Sequence, residues 1–465
     1  MNFYIMLAVV AALALPGVAA GHAPIQKTAK SGGDGTVNVS NQNAYSLPQA
    51  NLPMTKRLDF SVGNSFFRNP WVVAPASTDA RDGLGPLFNT NSCQGCHIKD
   101  GRGNPPGEGQ KPVSLFLRLA VPVRSEADAD VLKTQGFVPD PVYGSQLQTA
   151  SIPGSKPEAD LVIEWERFEE KLADGTQVPM RRPVYRIENP SYGPLDEQVQ
   201  LSPRVAPPMI GLGLLAAIAE VDLIAAADPD DADEDGISGR PNRVWDRATK
   251  QTVLGRFGWK AGEPNIMQQS MGAFAGDMGI TSALAPLTDC TQSQQCERFA
   301  HGGEFEVSDE VANFVTFYAS ALAVPARRDM DDTKVQAGAE LFNASGCAAC
   351  HTPRHVTTVV SDRPDLSQQE IWPYTDLLLH DMGPGLADGR GEFLADGNEW
   401  RTPPLWGLGL AKTVNPLAGF LHDGRAETVE QAILWHDGEA RAAQQAYRAL
   451  SANDRDALLA FLDSL

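Results

Sequence analysis

Two Cys-x-x-Cys-His runs constrain this chain more than any other feature, Cys93-Gln94-Gly95-Cys96-His97 and Cys347-Ala348-Ala349-Cys350-His351. Two thiols with an imidazole directly behind them are what covalent attachment of a haem requires. One thiol adds to each vinyl group, and the ring nitrogen reaches the iron from the same side. Paired Cys-x-x-Cys motifs also bind zinc, but zinc leaves the His that follows both pairs without a reason. A thioredoxin-like dithiol is weaker still, since neither motif opens a βαβ unit. The chain is therefore expected to fold around two covalently attached haem c groups, with His97 and His351 as the proximal iron ligands.

A chain of 465 residues exceeds a single simple core and predicts two or three folding units. Asp332 can cap a helix in which Val335, Ala339 and Phe342 recur at helical spacing up to Gly346. Leu84, Leu87 and Phe88 show a similar pattern before the first motif, which predicts a repeated helix leading to each haem. Between the motifs, Val113, Leu115, Leu117 and Leu119 alternate, and two strand-like runs flank Ala173-Asp174-Gly175-Thr176. A helix is expected over 210–226, and three more at the C-terminus, from Thr428, from Gly438 and from the Ser451 cap. The fold class expected is mainly α, with two cytochrome c-like haem domains, a β-rich insertion and long Pro/Gly-rich loops. The divisions are a signal peptide over 1–20, an N-terminal segment with the first haem motif over 21–110, an inserted β-rich and helical region completing the first haem domain over 111–325, and a C-terminal cytochrome c domain over 326–465.

The apolar stretch Ile5 to Leu15, the breaker Pro16-Gly17 and the small residues up to Ala20 have the layout of a cleaved secretory signal, although no Lys or Arg precedes them. A retained anchor is the alternative, but the stretch is shorter than the roughly 20 residues a spanning helix needs. The expected destination is an oxidising compartment, a periplasm, with no stable membrane insertion. Formal net charge is −20, with 58 acidic against 38 basic residues, which argues against nucleic acid as a partner. A cationic redox partner fits that charge, and so does plain solubility.

Asp231, Asp233 and Asp235 alternate ahead of Gly236, as in loops that wrap oxygen ligands around Ca²⁺, but Asn242 stands where an EF-hand places its Glu. The alternative is a solvated acidic loop. Cys290 and Cys296, the cysteines outside the haem motifs, read as a disulfide or as a dithiol exchanging electrons with the haems.

Taken together, Asp82-Gly83-Leu84-Gly85-Pro86-Leu87-Phe88, Gly255-Arg256-Phe257-Gly258-Trp259-Lys260, Gly276-Asp277-Met278-Gly279-Ile280-Thr281-Ser282, Leu378-Leu379-His380-Asp381-Met382-Gly383, Trp400-Arg401-Thr402-Pro403-Pro404-Leu405-Trp406-Gly407 and Leu421-His422-Asp423-Gly424-Arg425 make the chain resemble the bacterial di-haem oxidoreductases of the peroxidase-like kind, formerly called thiol oxidoreductases. More distantly, the C-terminal half is similar to the second haem domain of bacterial di-haem cytochrome c peroxidases. The resemblance implies one catalytic haem and one electron-transfer haem, with the first haem the catalytic one. Glu399 stands near where those peroxidases carry a Met or Tyr ligand, so their ligation does not transfer.

The sixth ligand of each iron decides what the iron can do. Met382 lies 31 residues beyond His351 and is a distal ligand for the second haem, with His380 as its rival. Met278 is the corresponding choice for the first haem, with Met267 and Met271 as competitors. His422 reads as a propionate or proton partner, and His301, His355 and His436 as surface or hydrogen-bonded residues. Glu108, Glu263 and Glu399 are possible proton-transfer acids that spacing does not separate, and Trp71, Trp372, Trp400 and Trp406 are equally open as relays. The leading functional expectation is reduction of hydrogen peroxide or a similar small oxidant. A non-catalytic electron carrier is the second, and a metal-handling module with structural haems the third.

Overall fold

The computed structural model describes residues 23–107 and 109–465, so the expected signal segment and Glu108 lie outside the described residues. Helix accounts for 30% and strand for 18% of the chain, which corrects the mainly-α expectation. The reason is local. With 34 Pro and 42 Gly, few segments are long enough to sustain a helix. Backbone donors are satisfied instead by short pairings, and the described residues contain six two-stranded antiparallel sheets.

Two helix pairs, built alike, organise the haem motifs. Helix Arg57–Arg68 packs on Asp309–Ala321, and helix Thr333–Ala344 packs on Ala452–Ser464. Each pair crosses at a glycine. A Cβ at Gly63 would lie 2.2 Å from the Phe314 carbonyl oxygen, and one at Gly338 would lie 2.0 Å from that of Ala457. Four residues on, Phe67 and Phe342 turn toward the imidazoles of His97 and His351, with ring centroids 6.1 and 6.5 Å away. Tyr318 and Phe461 complete the stacks from the partner helices, both at 5.2 Å. The structural repeat is thus Gly63 to Phe67 against Gly338 to Phe342.

The helix expected over Leu84, Leu87 and Phe88 does not form. Gly83 takes a left-handed φ of 87°, and Leu87–Phe88 pairs as a strand with Ala150–Ser151. Residues 69–92 separate the real helix from the first motif, whereas only Ser345 and Gly346 do so in the second. That inserted loop hid the repeat. In the second module Asp332 caps its helix through Lys334 N, and Val335, Ala339 and Phe342 are buried as the periodicity predicts.

The inter-motif region carries the longest strands, Asp160–Lys171 and Gln177–Glu188, joined at Ala173-Asp174-Gly175-Thr176. The hairpin clasps the C-terminal helices, since Arg455 donates to Asp174 at 2.8 Å and Ala173 N donates to the Arg448 carbonyl at 3.1 Å. Leu115, Leu117 and Leu119 are buried on a strand paired with Gln200–Val205, while Val113 lies outside it and exposed. The helix expected over 210–226 is two short ones, Leu212–Ala216 and Glu220–Ala225, broken where Ile218 bridges Thr357. The C-terminal helices begin at Thr428 and Ser451 caps, with a 3₁₀ turn before Arg441–Ala449 between them. Among the described residues no helix is long and apolar enough to cross a membrane.

Candidate functional site

The two Cys-x-x-Cys-His motifs occupy short helical turns. Ser92 caps the first, accepting from Gly95 N at 3.2 Å, whereas the second starts from Gly346 with φ 81° and no side-chain cap. Cys93, Cys96, Cys347 and Cys350 are all free thiols, and Cys290 and Cys296 are bonded to each other.

Both proximal histidines are held in one way. His97 Nδ1 lies 2.8 Å from the Pro207 carbonyl and His351 Nδ1 lies 3.0 Å from that of Tyr374. A carbonyl can only accept, so Nδ1 carries the proton and donates it, leaving the Nε2 lone pair for a metal. Burial takes both rings down to about 4, so they are neutral. That donor set fits a haem iron: two neutral imidazoles, tautomer fixed by the backbone, each beside two free thiols.

What faces the two imidazoles differs. The first motif borders a cavity of about 710 Å³, lined by Cys93, Cys96, His97 and Met278 and by segments from Phe67 to Trp406. This lies within the roughly 300–1,000 Å³ of cofactor pockets. Seven arginines reach its wall, Arg102, Arg118, Arg204, Arg247, Arg256, Arg390 and Arg401. Arg204 and Arg390 share Glu392, holding its carboxyl down to about 2 against the opposing effect of burial. Arg118 has no ion-pair or hydrogen-bond partner among the described residues, while Arg102 and Arg401 donate only to backbone carbonyls. Unpaired cations on an enclosed wall suit the two propionates of a haem.

Near the second motif stands His436, which the sequence reading assigned to a surface or satisfied position. Its Nδ1 donates to the Ala432 carbonyl at 2.7 Å, the same arrangement as in His97 and His351. Burial lowers its basicity as well, and it lies close enough to His351 to depress that ring's basicity further. All three rings are half-buried, and His97 lines the first cavity. The signal available in sequence was a helix-terminal His directly after a buried Trp, too common to single out.

The other residues fall as follows. His380 is clamped on both nitrogens, Nε2 by Asp376 at 2.9 Å and Nδ1 by Glu439 at 2.7 Å. Burial opposes the charge, but Asp376, the Cys350 thiol and Glu439 together push the ring up to about 12. Met278 is buried in the first cavity's wall at the end of helix Ile266–Met278; Met271 is fully buried, and Met267 accepts from Thr316. Met382 is half-buried and packs against the core that includes Phe342, Trp435 and Phe461. His422 is buried, stacked on Trp400 at 3.8 Å, with Nε2 unpartnered. His301 is exposed, and His355 Nε2 meets the Thr375 carbonyl. Trp406 lines the first cavity, Trp71 and Trp372 are buried with unpartnered Nε1 atoms, and Trp400 Nε1 donates to the Leu386 carbonyl. Of the three expected acids, Glu263 lines the cavity, while Glu399 is fully buried and paired with Arg240. The acidic loop brings together Asp228, Asp231 and Asp233; Asp235 instead accepts from Ile237 N.

A sequence model of the family described as "Di-haem oxidoreductase, putative peroxidase" matches residues 25–465. The search of curated proteins found no match. A solved chain of Kuenenia stuttgartiensis hydrazine synthase is similar at 13% identity and a TM-score of 0.30, over 78% of this chain and 95% of that one, a likeness too loose to carry an argument.

Proposed function

Since the chain belongs to the di-haem oxidoreductase family, and so carries a di-haem redox role, we propose that it reduces hydrogen peroxide or a similar small oxidant at the first haem site with electrons relayed through the second. Bound at these sites, haem iron would supply peroxide reduction where a small molecule can reach it and one-electron transfer where it cannot. The observation that carries this reading is the cavity of about 710 Å³ beside His97, lined by Cys93, Cys96 and seven arginines.

In this reading Cys93, Cys96 and His97 hold the first haem covalently and Cys347, Cys350 and His351 the second. Arg102, Arg118 and Arg401 neutralise the first haem's propionates. Phe67 and Phe342 press on the proximal rings and fix their tilt. The closed Cys290–Cys296 bond supports an oxidising, periplasmic location, and the net charge of −20 supports a cationic electron donor.

Met278 in the cavity wall favours one alternative. If its thioether ligates the first iron in both redox states, the protein is an electron carrier. Absorption and EPR spectra of the oxidised and half-reduced holoprotein, before and after peroxide, separate the two. One high-spin or peroxide-responsive haem beside one low-spin haem is the expected result. Two inert low-spin haems would leave the carrier.

A further inference from the structure

The exposed residues of the first cavity's wall fall in two stretches of chain, Pro286 with Leu287, and Thr134 and Gln135 with Pro141. The two are fastened differently. Pro286 and Leu287 stand in a pinned segment: Asp289 accepts from Ser145 N and Gln146 N at 2.8 Å each, Thr291 donates to the Val142 carbonyl at 2.7 Å, and the Cys290–Cys296 bond closes the loop that follows.

Thr134 and Gln135 end a helix, Glu126–Gln135, none of whose side chains is buried. Its 10 residues fall short of the roughly 12–15 that an isolated helix needs in water, and no apolar face in the core makes up the difference. Its support is local. Ser125 and Asp128 form a capping box, and Gly136 closes the helix at a left-handed φ of 82°. The chain leaves the body and returns to it at one place, where Val121 N donates to the Val138 carbonyl at 2.8 Å across an antiparallel bridge of two buried residues. Beyond that base, Arg124 pairs with Asp196 at the surface. At the other end Phe393 N donates to the Gly136 carbonyl at 2.9 Å, and the Phe137 ring centre lies 4.0 Å from the Arg390 guanidinium. Phe137, Arg390 and Phe393 all line the cavity, so this fastening lies at its edge.

We propose that residues 122–137 are a lid on the first haem cavity, hinged at the Val121–Val138 bridge and latched where Gly136 and Phe137 meet Phe393 and Arg390. The lid rests on the reading above that a small molecule reaches the first haem. A surface helix with no buried side chain belongs to the low-stability end of a fold, where local opening is frequent. Opening of the latch admits the oxidant, while the pinned segment around Pro286 and Leu287 stays in place.

The test uses holoprotein with both haems counted by pyridine haemochrome. Association of cyanide with the ferric first haem, followed by stopped-flow absorption, reads entry without turnover. Gly136→Ala forces the latch, because a Cβ there would stand 2.5 Å from the Phe393 ring at a left-handed φ. In a second variant Asn-Gly replaces residues 122–137, a two-residue hairpin turn that the antiparallel Val121–Val138 pair accommodates. Both are expected to raise the cyanide association rate about tenfold. In the wild type the amides of 126–135 should exchange hydrogen on the order of 100-fold faster than those of helix Asp309–Ala321, and Gly136→Ala should speed the first set alone. Cyanide entering the variants but not the wild type would be the strongest support. Variant rates within twofold of the wild type, or below it, overturn the lid and leave the peroxide reading standing. So do amides of 126–135 that exchange as slowly as those of Asp309–Ala321. If neither cyanide nor peroxide enters wild type or variants, the peroxide reading falls and the lid with it.

Discussion

The two haem motifs share their attachment chemistry and diverge in everything set across from it. In each, a helix crossing at a glycine carries a Phe against the proximal ring, and a backbone carbonyl fixes that ring's tautomer. Around the ring, the first motif borders a cavity rich in arginine and carboxylate, and the second has both His436 and His380 in its neighbourhood amid aromatic packing. The Cys-x-x-Cys-His motif therefore says where an iron is expected to sit but not what it can do. The far face decides whether a small molecule can approach.

The largest effects come from removing one attachment at a time. Cys93→Ala with Cys96→Ala is expected to take covalent haem from two per chain to one, and the Cys347/Cys350 pair to do the same, counted by pyridine haemochrome. If only the first pair abolishes the peroxide-responsive spectrum while the second leaves it intact but slow to be re-reduced, the contrast is sharpened. Unchanged haem content in either variant would break it.

Next is His436→Gly, which should turn the second haem's low-spin EPR signal high-spin, with Met382→Leu leaving it unaltered. The reverse outcome would restore the methionine expected from the sequence.

A smaller effect concerns the buried cluster of Lys260, Trp400 and His422, where Lys260 lies over the Trp400 ring and His422 stacks on it. Lys260 is fully buried, pairs with Asp388 at 3.2 Å and donates to the carbonyls of Asp396 and Glu399. Lys260→Met should lose about 3–5 kcal/mol in denaturant titration, because it strands a buried carboxylate. A loss below about 1 kcal/mol would show that the cluster tolerates the change.

Acid should weaken the same cluster. Burial, with help from Arg425 and Lys260 and against Asp423, holds His422 down to about 3, below its unfolded value of 6.5. The unfolded chain then binds a proton the native ring refuses. This contribution is whole above about pH 6.5 and shrinks as pH falls toward 3, by about 1.4 kcal/mol per unit. His422→Gln should flatten that part of the stability profile, and an unchanged slope would remove His422 from the account.

Least of all, Ser92→Ala should cost about 1 kcal/mol by uncapping the first attachment turn. The second turn has no side-chain cap to lose. A neutral result would make the two turns equivalent.

Much of the second module was legible. Asp332, Val335, Ala339 and Phe342 marked a capped amphipathic helix, and the Thr428 and Ser451 caps opened helices where expected. The first module was misread at Leu84 to Phe88, because a repeat was sought at fixed distance from the motif. A loop over 69–92 moved the matching helix upstream, where Gly63 and Phe67 correspond to Gly338 and Phe342.

By itself the sequence set out the expected attachment chemistry. Adjacent thiols and an imidazole act through spacing of a few residues, which no fold can alter. Tertiary structure alone decided the far faces. His380 is within loop reach of the second iron, yet its two ring nitrogens are taken by Glu439 and Asp376, while His436, over eighty residues from His351, is folded into the same neighbourhood. Glu263 stands out from Glu399 only because one lines the cavity and the other is shut away with Arg240. Basicity, tautomer and access depend on burial and partners, and those are set by segments distant in the chain.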